Sequence, residues 1–412
     1  MTVSYFRSSL RVSLCVAGLA ITSSAYGATT TTLDLTAGVG ASSNPSLAIG
    51  GKGSAFGRLS ALGMHEWKSE RTTTVLSAYG ENTTYLSGGY GSKQIFDLRA
   101  SSTHAVNPNL TIFGNIGFQG DVDGQLSNRF TSVTPVLNPP PSDQPAPVVI
   151  DDPTFLSFDG RQYRLSGQVG LSTRANERGT ISLSAGAQRN FSSGSQSNNV
   201  NFNSYFATAA YDHQFSERTT AGFSTNVQIQ DYDHGLSSFV VNPLVTVSRQ
   251  FSDQLSGTAA VGVLFSRQEL LDGGTDSSIN PSFSFSLCRA GERDRLCGRV
   301  SRDARSSRAG FGPQANALAI STLGSVNYFR KLDANQSLQA SVSAIRSSSQ
   351  FSDGDEFHTT YLSFLAGYDR KIRERLAVGI TAGARKLYQD GRDPKADINA
   401  NAFVRYRLGD LR

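Results

Sequence analysis

Long apolar runs are missing from this chain. Nowhere in its 412 residues does a stretch approach the roughly 20 consecutive apolar residues that a membrane-spanning helix needs. Charge is sparse at 17%, and only 38% of the residues are hydrophobic. The chain has just 3 cysteines, 2 methionines and 1 tryptophan. The histidines (His65, His104, His213, His234 and His358) are scattered, with no partner at metal-ligand or triad spacing. There is no G-x-S-x-G nucleophile elbow, and no G-x-G-x-x-G between a strand and a helix. Catalytic, cofactor-binding and metal sites are all without support, so the expectation is a protein that is not an enzyme.

What the chain does have is period-two alternation. Near the C-terminus Leu376, Val378, Ile380, Ala382 and Ala384 alternate with Ala377, Gly379, Thr381, Gly383 and Arg385. After a polar loop, Ile398, Ala400, Ala402, Val404, Tyr406 and Leu408 alternate with Asn399, Asn401, Phe403, Arg405 and Arg407. Each segment reads as a strand with one oily face and one small or polar face. The same pattern recurs upstream, as in Leu33, Leu35, Ala37, Val39 and Ala41, or Leu110, Ile112, Gly114, Ile116 and Phe118. The whole series amounts to roughly eighteen strands, with sixteen as the neighbouring even count. The polar faces carry so much Ser, Asn, Gln and Arg that the natural arrangement is lipid outside and water inside. This predicts an all-β fold, a transmembrane antiparallel β-barrel, because in hydrocarbon only helices and closed barrels satisfy every backbone group. A secreted β-rich protein, such as a repeat adhesin, is the bland alternative.

The connections sort by parity. Short ones such as Asn107-Pro108-Asn109, Ser216-Glu217-Arg218, Ser252-Asp253-Gln254 and Arg373-Glu374-Arg375 alternate with longer Gly-, Ser- and Asp-rich ones at 43–54, 192–201, 269–277, 306–315 and 350–356. Short periplasmic turns opposite longer outer loops are the expected asymmetry of such barrels, whereas a soluble sandwich has no reason to sort its loops. Aromatics cluster near strand ends. Trp67, Phe215, Phe251, Tyr328, Tyr368 and Tyr406 lie by the short turns; Phe191, Tyr232, Phe265, Phe351 and Tyr388 lie by the long loops. Two belts of this kind suit lipid headgroups. The longest loop, near 123–160, contains Asn138-Pro139-Pro140-Pro141 and Gln144-Pro145-Ala146-Pro147, which exclude it from any ladder. It either folds inward as a constriction or stands outside as a surface segment.

Residues 1–27 read as a signal peptide: Arg7 and Arg11 are followed by an apolar stretch at 12–21 and the small-x-small site Ala25-Tyr26-Gly27. The remaining 28–412 form one barrel domain, placed in the outer membrane of a Gram-negative cell. Cys288 and Cys297 flank a hairpin turn, and in an oxidising compartment that predicts a structural disulfide between them. The formal net charge is +5; export makes nucleic acid an unsuitable partner. The better use of the positive charge is Arg99, Arg164, Arg299, Arg305, Arg385, Arg405 and Arg407, all opposite the apolar register and so expected to line a pore. There they either favour anionic solutes or pair with lumenal acids such as Asp97 and Asp303 and brace the wall. Acidic groups gather in the proposed outer loops (Asp272 and Asp276; Asp353, Asp355 and Glu356; Asp390 and Asp393), as solvated charge, as oxygen ligands for a divalent cation, or facing cation-bridged lipopolysaccharide.

The corner Ser42-Ser43-Asn44-Pro45 resembles one family of outer-membrane barrels, as does the stretch 283–313 with Gly291-Glu292-Arg293, Val300-Ser301-Arg302 and Gly310-Phe311-Gly312-Pro313. It is the second β-barrel porin family, often associated with exopolysaccharide gene sets in Gram-negative bacteria. The resemblance implies a pore, a role in exopolysaccharide export, and polysaccharide export components as partners beside lipid, lipopolysaccharide and the barrel assembly machinery. It brings no catalytic residues. One departure is the ending Leu408-Gly409-Asp410-Leu411-Arg412, where many outer-membrane barrels end on an aromatic; Val404, Tyr406 and Leu408 still supply the alternating signal. The other expectations are a general diffusion porin for small anionic solutes and a non-conducting surface adhesion or structural barrel.

Overall fold

The computed structural model describes residues 28–121, 161–193, 201–233, 237–269, 273–306, 318–350, 356–389, 391 and 393–409. Outside them lie the expected signal segment, the Pro-rich loop, Asp272, Asp353, Asp355, Asp390, His234 and Phe351. The described chain is built of strands: β1 (Ala28–Ser42), β2 (Ser54–Lys68), β3 (Thr72–Tyr85), β4 (Ser92–Asn107), β5 (Leu110–Asp121), β6 (Arg161–Arg174), β7 (Gly179–Ser193), β8 (Phe202–Ser216) and β9 (Thr219–Tyr232). They continue as β10 (Ser237–Gln250), β11 (Leu255–Glu269), β12 (Thr275–Ala290), β13 (Asp294–Ser306), β14 (Leu318–Lys331), β15 (Gln336–Gln350), β16 (Glu356–Arg373), β17 (Leu376–Gln389) and β18 (Asp397–Gly409).

Each strand pairs antiparallel with its neighbours in sequence, and β1 also pairs with β18, closing an 18-stranded sheet into a barrel. Closure removes the sheet edges, which hydrocarbon would not tolerate. The strands run from 12 residues in β5 to 18 in β16. At about 3.3 Å per residue and a tilt near 45°, they overreach a hydrocarbon band roughly 25 Å tall. In a bilayer their ends would therefore stand in the headgroup layers.

The register fixes which face is which. Leu33, Leu35, Ala37, Val39 and Ala41 of β1 lie opposite Leu408, Tyr406, Val404, Ala402 and Ala400 of β18. That row continues onto Leu376, Val378, Ile380, Ala382 and Ala384 of β17. Most exposed large apolar residues of the strands, among them Val39, Leu59, Val169, Ile279, Ile380 and Ile398, sit on this face. The alternate row carries Asp34, Thr36, Ser60, Asn401 and Arg405. The exterior is thus oily and the interior polar, the reverse of a soluble barrel.

Connections after even-numbered strands are tight turns at 69–71, 108–109, 217–218 and 374–375, while 43–53 and 86–91 join strands at the opposite end. Trp67, Phe215, Tyr328, Tyr368 and Tyr406 point outward at the short-turn end, with His65 packed edge-on against Trp67 at 4.0 Å. Phe191, Phe265 and Tyr388 point outward at the long-loop end. Tyr232 does not: it lies opposite Phe202 on the inner row, is buried, and donates its hydroxyl to Gln230 Oε1 at 2.7 Å. Its place at a strand end suggested the belt, but its parity puts it inside.

Cys288 and Cys297 face each other directly across the β12–β13 hairpin, on the inner row near the short-turn end, with Cα atoms 4.1 Å apart and their sulfurs bonded. A thiol assay on unreduced, denatured protein should find neither sulfur free. Cys288→Ser with Cys297→Ser should lower stability by about 2 kcal/mol, read from denaturant unfolding in detergent.

Candidate functional site

The candidate site is the lumen. Its wall is mostly neutral and polar: β9 presents Ser224, Asn226, Gln228 and Gln230 inward, and β12 presents Asn280, Ser282, Ser284 and Ser286. Inward phenylalanines oppose glycines on the neighbouring strand, pairing Phe56 with Gly40, Phe113 with Gly170, Phe206 with Gly186 and Phe403 with Gly379. A Cβ on Gly379 would stand 2.4 Å from the Phe403 ring, so the ring lies flat over the glycine and against the wall.

All seven sequence-identified arginines fall on the inner row of the ladder; the side chain of Arg305 lies outside the described residues. Their surroundings differ. Arg99 forks onto Asp97, with Nε to Oδ1 at 2.9 Å and Nη2 to Oδ2 at 2.6 Å. Arg407 forks onto Asp34 at 2.7 and 2.6 Å. Arg385 pairs with Asp397, both fully buried, and buried Arg405 faces Asp369 at 3.8 Å. Arg164 donates from Nε to Asn190 at 3.0 Å. Arg299 is exposed, with no acid paired to it among the described residues. Four of the seven therefore have their charge matched by a lumenal carboxylate, and the wall is braced rather than bare. Asp303 enters this bracing differently: its Oδ1 accepts a hydrogen bond from Asn242 of β10.

The two ends of the lumen also differ. Toward the short turns, inward residues such as Met64, Ser248 and Thr258 are exposed. Toward the long loops the inner row is buried, including Phe202, Val240, Leu264, Leu323, Ile345, Tyr361 and Leu387. Part of this packing comes from the 43–53 connection, which folds inward: Leu47 clusters with Tyr361 of β16 and Leu387 of β17, both on the inner row. Leu47 holds φ at 50°, a conformation that costs a branched residue energy and that its burial offsets.

One carboxylate ties the inward loop down. Asp397, fully buried at the start of β18, accepts from Ser42 Oγ at 2.6 Å and from the Asn44 backbone N–H at 3.0 Å. It also accepts from Arg385 Nε at 3.0 Å and Asn399 Nδ2 at 3.1 Å. Arg385 Nη2 donates to the Pro45 carbonyl, and Asn44 Nδ2 donates to the carbonyls of Lys395 and Ala48. The corner Ser42-Ser43-Asn44-Pro45 thus becomes a latch across the β1–β18 closure. Nothing local in the sequence shows this latch, and the Pro-rich loop is the one segment whose composition suggests a constriction. The available signal was three apolar residues on the wet parity of neighbouring strands, Tyr361, Leu365 and Leu387.

Among the described residues no group of three or more His, Cys, Asp or Glu is placed to hold a metal ion. His65, His104 and His213 sit on the outer row by the short turns.

These features define a closed β-barrel with a polar interior. No family model matches the chain, and no curated protein does. Among solved structures, Pseudomonas aeruginosa OccK2 (OpdF) aligns at 13% identity over 93% of this chain and 98% of its own, with a TM-score of 0.48. The FrpB iron transporter from Neisseria meningitidis (F3-3 variant) aligns at 9% identity over 87% of this chain, with a TM-score of 0.45; the alignment covers 62% of that longer protein. A bacterial polysaccharide outer membrane secretin aligns at 12% identity over 92% of this chain and 98% of its own, with a TM-score of 0.35. Likenesses this remote assign neither cargo nor mechanism.

Removing one partner of a buried ion pair strands the other. Asp397→Ala should cost about 3–5 kcal/mol of stability, measured by denaturant unfolding in detergent, and should release the 43–53 loop to protease. Asp393→Ala, whose exposed carboxylate pairs with Lys386, should change stability by less than about 1 kcal/mol.

Proposed function

We propose that this protein is a porin-like channel of the Gram-negative outer membrane, passing polar solutes through a lumen narrowed at the long-loop end. The observation that carries the reading is the closed 18-stranded wall with its oily side out and its hydroxyl and amide side chains in. Barrels of 16–18 strands leave room for an aqueous channel. The short turns then face the periplasm and the long loops the cell exterior.

The wall chemistry favours neutral, polyhydroxylated cargo over small anions. Ser, Thr, Asn and Gln side chains offer both donors and acceptors to sugar hydroxyls, and paired arginines offer little net field. This agrees with the resemblance to the exopolysaccharide-associated porins, and a sugar polymer or its fragments is the cargo class proposed. The buried inner row at the long-loop end favours a narrow resting pore, with the 43–53 loop as its constriction.

Planar-bilayer recording of the mature barrel tests this. Discrete conductance steps with weak ion selectivity are expected, with transient block by added oligosaccharide and a larger step once 45–51 is replaced by a short turn. Strong anion preference that disappears in Arg299→Ala would favour the anion porin instead. Silence from both the intact barrel and the loop-shortened one would leave a structural or adhesive barrel.

A further inference from the structure

We propose that Arg302 and Arg346 form a binding site for the phosphate of an outer-leaflet lipid on the outside wall of the barrel. The inference rests on that wall facing a bilayer, and it goes beyond the channel reading because the site lies on the opposite surface from the lumen.

The register places the two arginines in one outward row, Arg302 of β13 opposite Thr322 of β14, and Thr322 opposite Arg346 of β15. With neighbouring strands about 4.8 Å apart, the two backbones stand roughly 10 Å apart with a hydroxyl between them. Directly below, toward the short turns, the exterior turns apolar through Val300, Gly324, Ala344 and Leu362. In the arginine row and above it the exterior is polar on β16, at Thr360 and His358. The arginines therefore stand where the exterior of β15 and β16 changes from apolar to polar.

Two of the other outward cations at this end are matched within the protein: Arg189 forks onto Asp233 at 2.7 and 2.8 Å, and Lys386 pairs with Asp393. No acid pairs with Arg302 or Arg346 among the described residues, and Arg302 Nε is buried without a hydrogen-bond partner. A guanidinium at the edge of hydrocarbon reaches the headgroup layer, where an anion can meet it. Its planar fork of donors suits a phosphate.

A second observation points to the same place. The β12–β13 ladder ends at Phe283 opposite Arg302, although β12 continues upward to Thr275 and β13 to Ser306. Above that pair, β13 leans inward, and Ala304 packs on Val240 and Leu264 of the inner wall. Pro281 of β12 lies just above the split and has no N–H to give. The result is a notch at the long-loop end, with Arg302 at its foot and, among the described residues, no ladder partner for β12 on the β13 side above Phe283. Backbone N–H groups along that edge can donate to a phosphorylated headgroup, which supplies acceptors that an acyl chain cannot.

The test is a binding titration on the mature barrel in detergent micelles, with diphosphoryl lipid A as probe and its dephosphorylated form as comparison. Wild type should prefer the phosphorylated lipid, and Arg302→Gln with Arg346→Gln should weaken that binding by about tenfold or more. Arg249→Gln, at the short-turn rim beside Phe251, should leave it unchanged. Inorganic phosphate should not displace the lipid; displacement at comparable concentration would mean a free-anion site and overturn the lipid assignment. Equal affinity in wild type and the double variant would overturn the site. Heat-modifiable gel mobility verifies that each variant is folded, and phosphorus NMR of the wild-type complex reads the contact without any variant. Bilayer conductance separates the two proposals: a conducting barrel with no phosphate preference sinks only this site.

Discussion

Everything in this structure follows from the need to satisfy the backbone where no water is available. A strand inside hydrocarbon must find both its neighbours within the protein, and the only complete solution is a sheet whose last strand returns to its first. Here that return is the β1–β18 ladder, running from Thr32 opposite Gly409 to Ser42 opposite Asn399. Ladder hydrogen bonds close it along its length, and Asp397 secures it at the long-loop end. That carboxylate takes donors from β1, from the loop after it, from β17 and from β18 itself. Closure and constriction therefore share one buried group.

The same period-two rule that puts oil outside leaves every second residue to the lumen, where selection acts on chemistry rather than on hydrophobicity. The lumen that results is polar but nearly balanced. Its acids stand within reach of its arginines, often two residues away on the same strand, as with Asp97 and Arg99, or across the closure, as with Asp34 and Arg407. Such pairs hold long side chains against the wall. Phenylalanines lying over glycines have the same effect by shape. A wall of this kind offers many hydrogen-bonding groups and little net field, the basis of the sugar cargo proposed above.

Much of this was legible from sequence because alternation and loop parity are local signals. The outward rows of β1, β5, β17 and β18, the hairpin joining Cys288 to Cys297, and the inner parity of all seven arginines each need only a few consecutive residues to read. What could not be read depends on residues far apart in the chain. Nothing local shows that Asn44 meets Asp397 or that Leu47 reaches Tyr361. The pairing that turns a row of arginines from an anion track into bracing is likewise set by register. Tyr232 misled for the opposite reason: its position at a strand end suggested a headgroup belt, while its parity had already placed it inside. The departure of β13 from β12 was hinted at only by Pro281, a residue that a fully paired strand would not carry.

The central claim is that one side of the wall meets hydrocarbon and the other meets water, and lipid quenching addresses it directly. An environment-sensitive fluorophore on single cysteines at Val169 and Ile380, in liposomes, should be quenched strongly by brominated lipid acyl chains. The same label at Gln168 and Thr381 should be quenched by a water-soluble agent and spared by the lipid. Equal quenching at neighbouring positions, or a barrel that stays soluble and unquenched without lipid, would contradict the account.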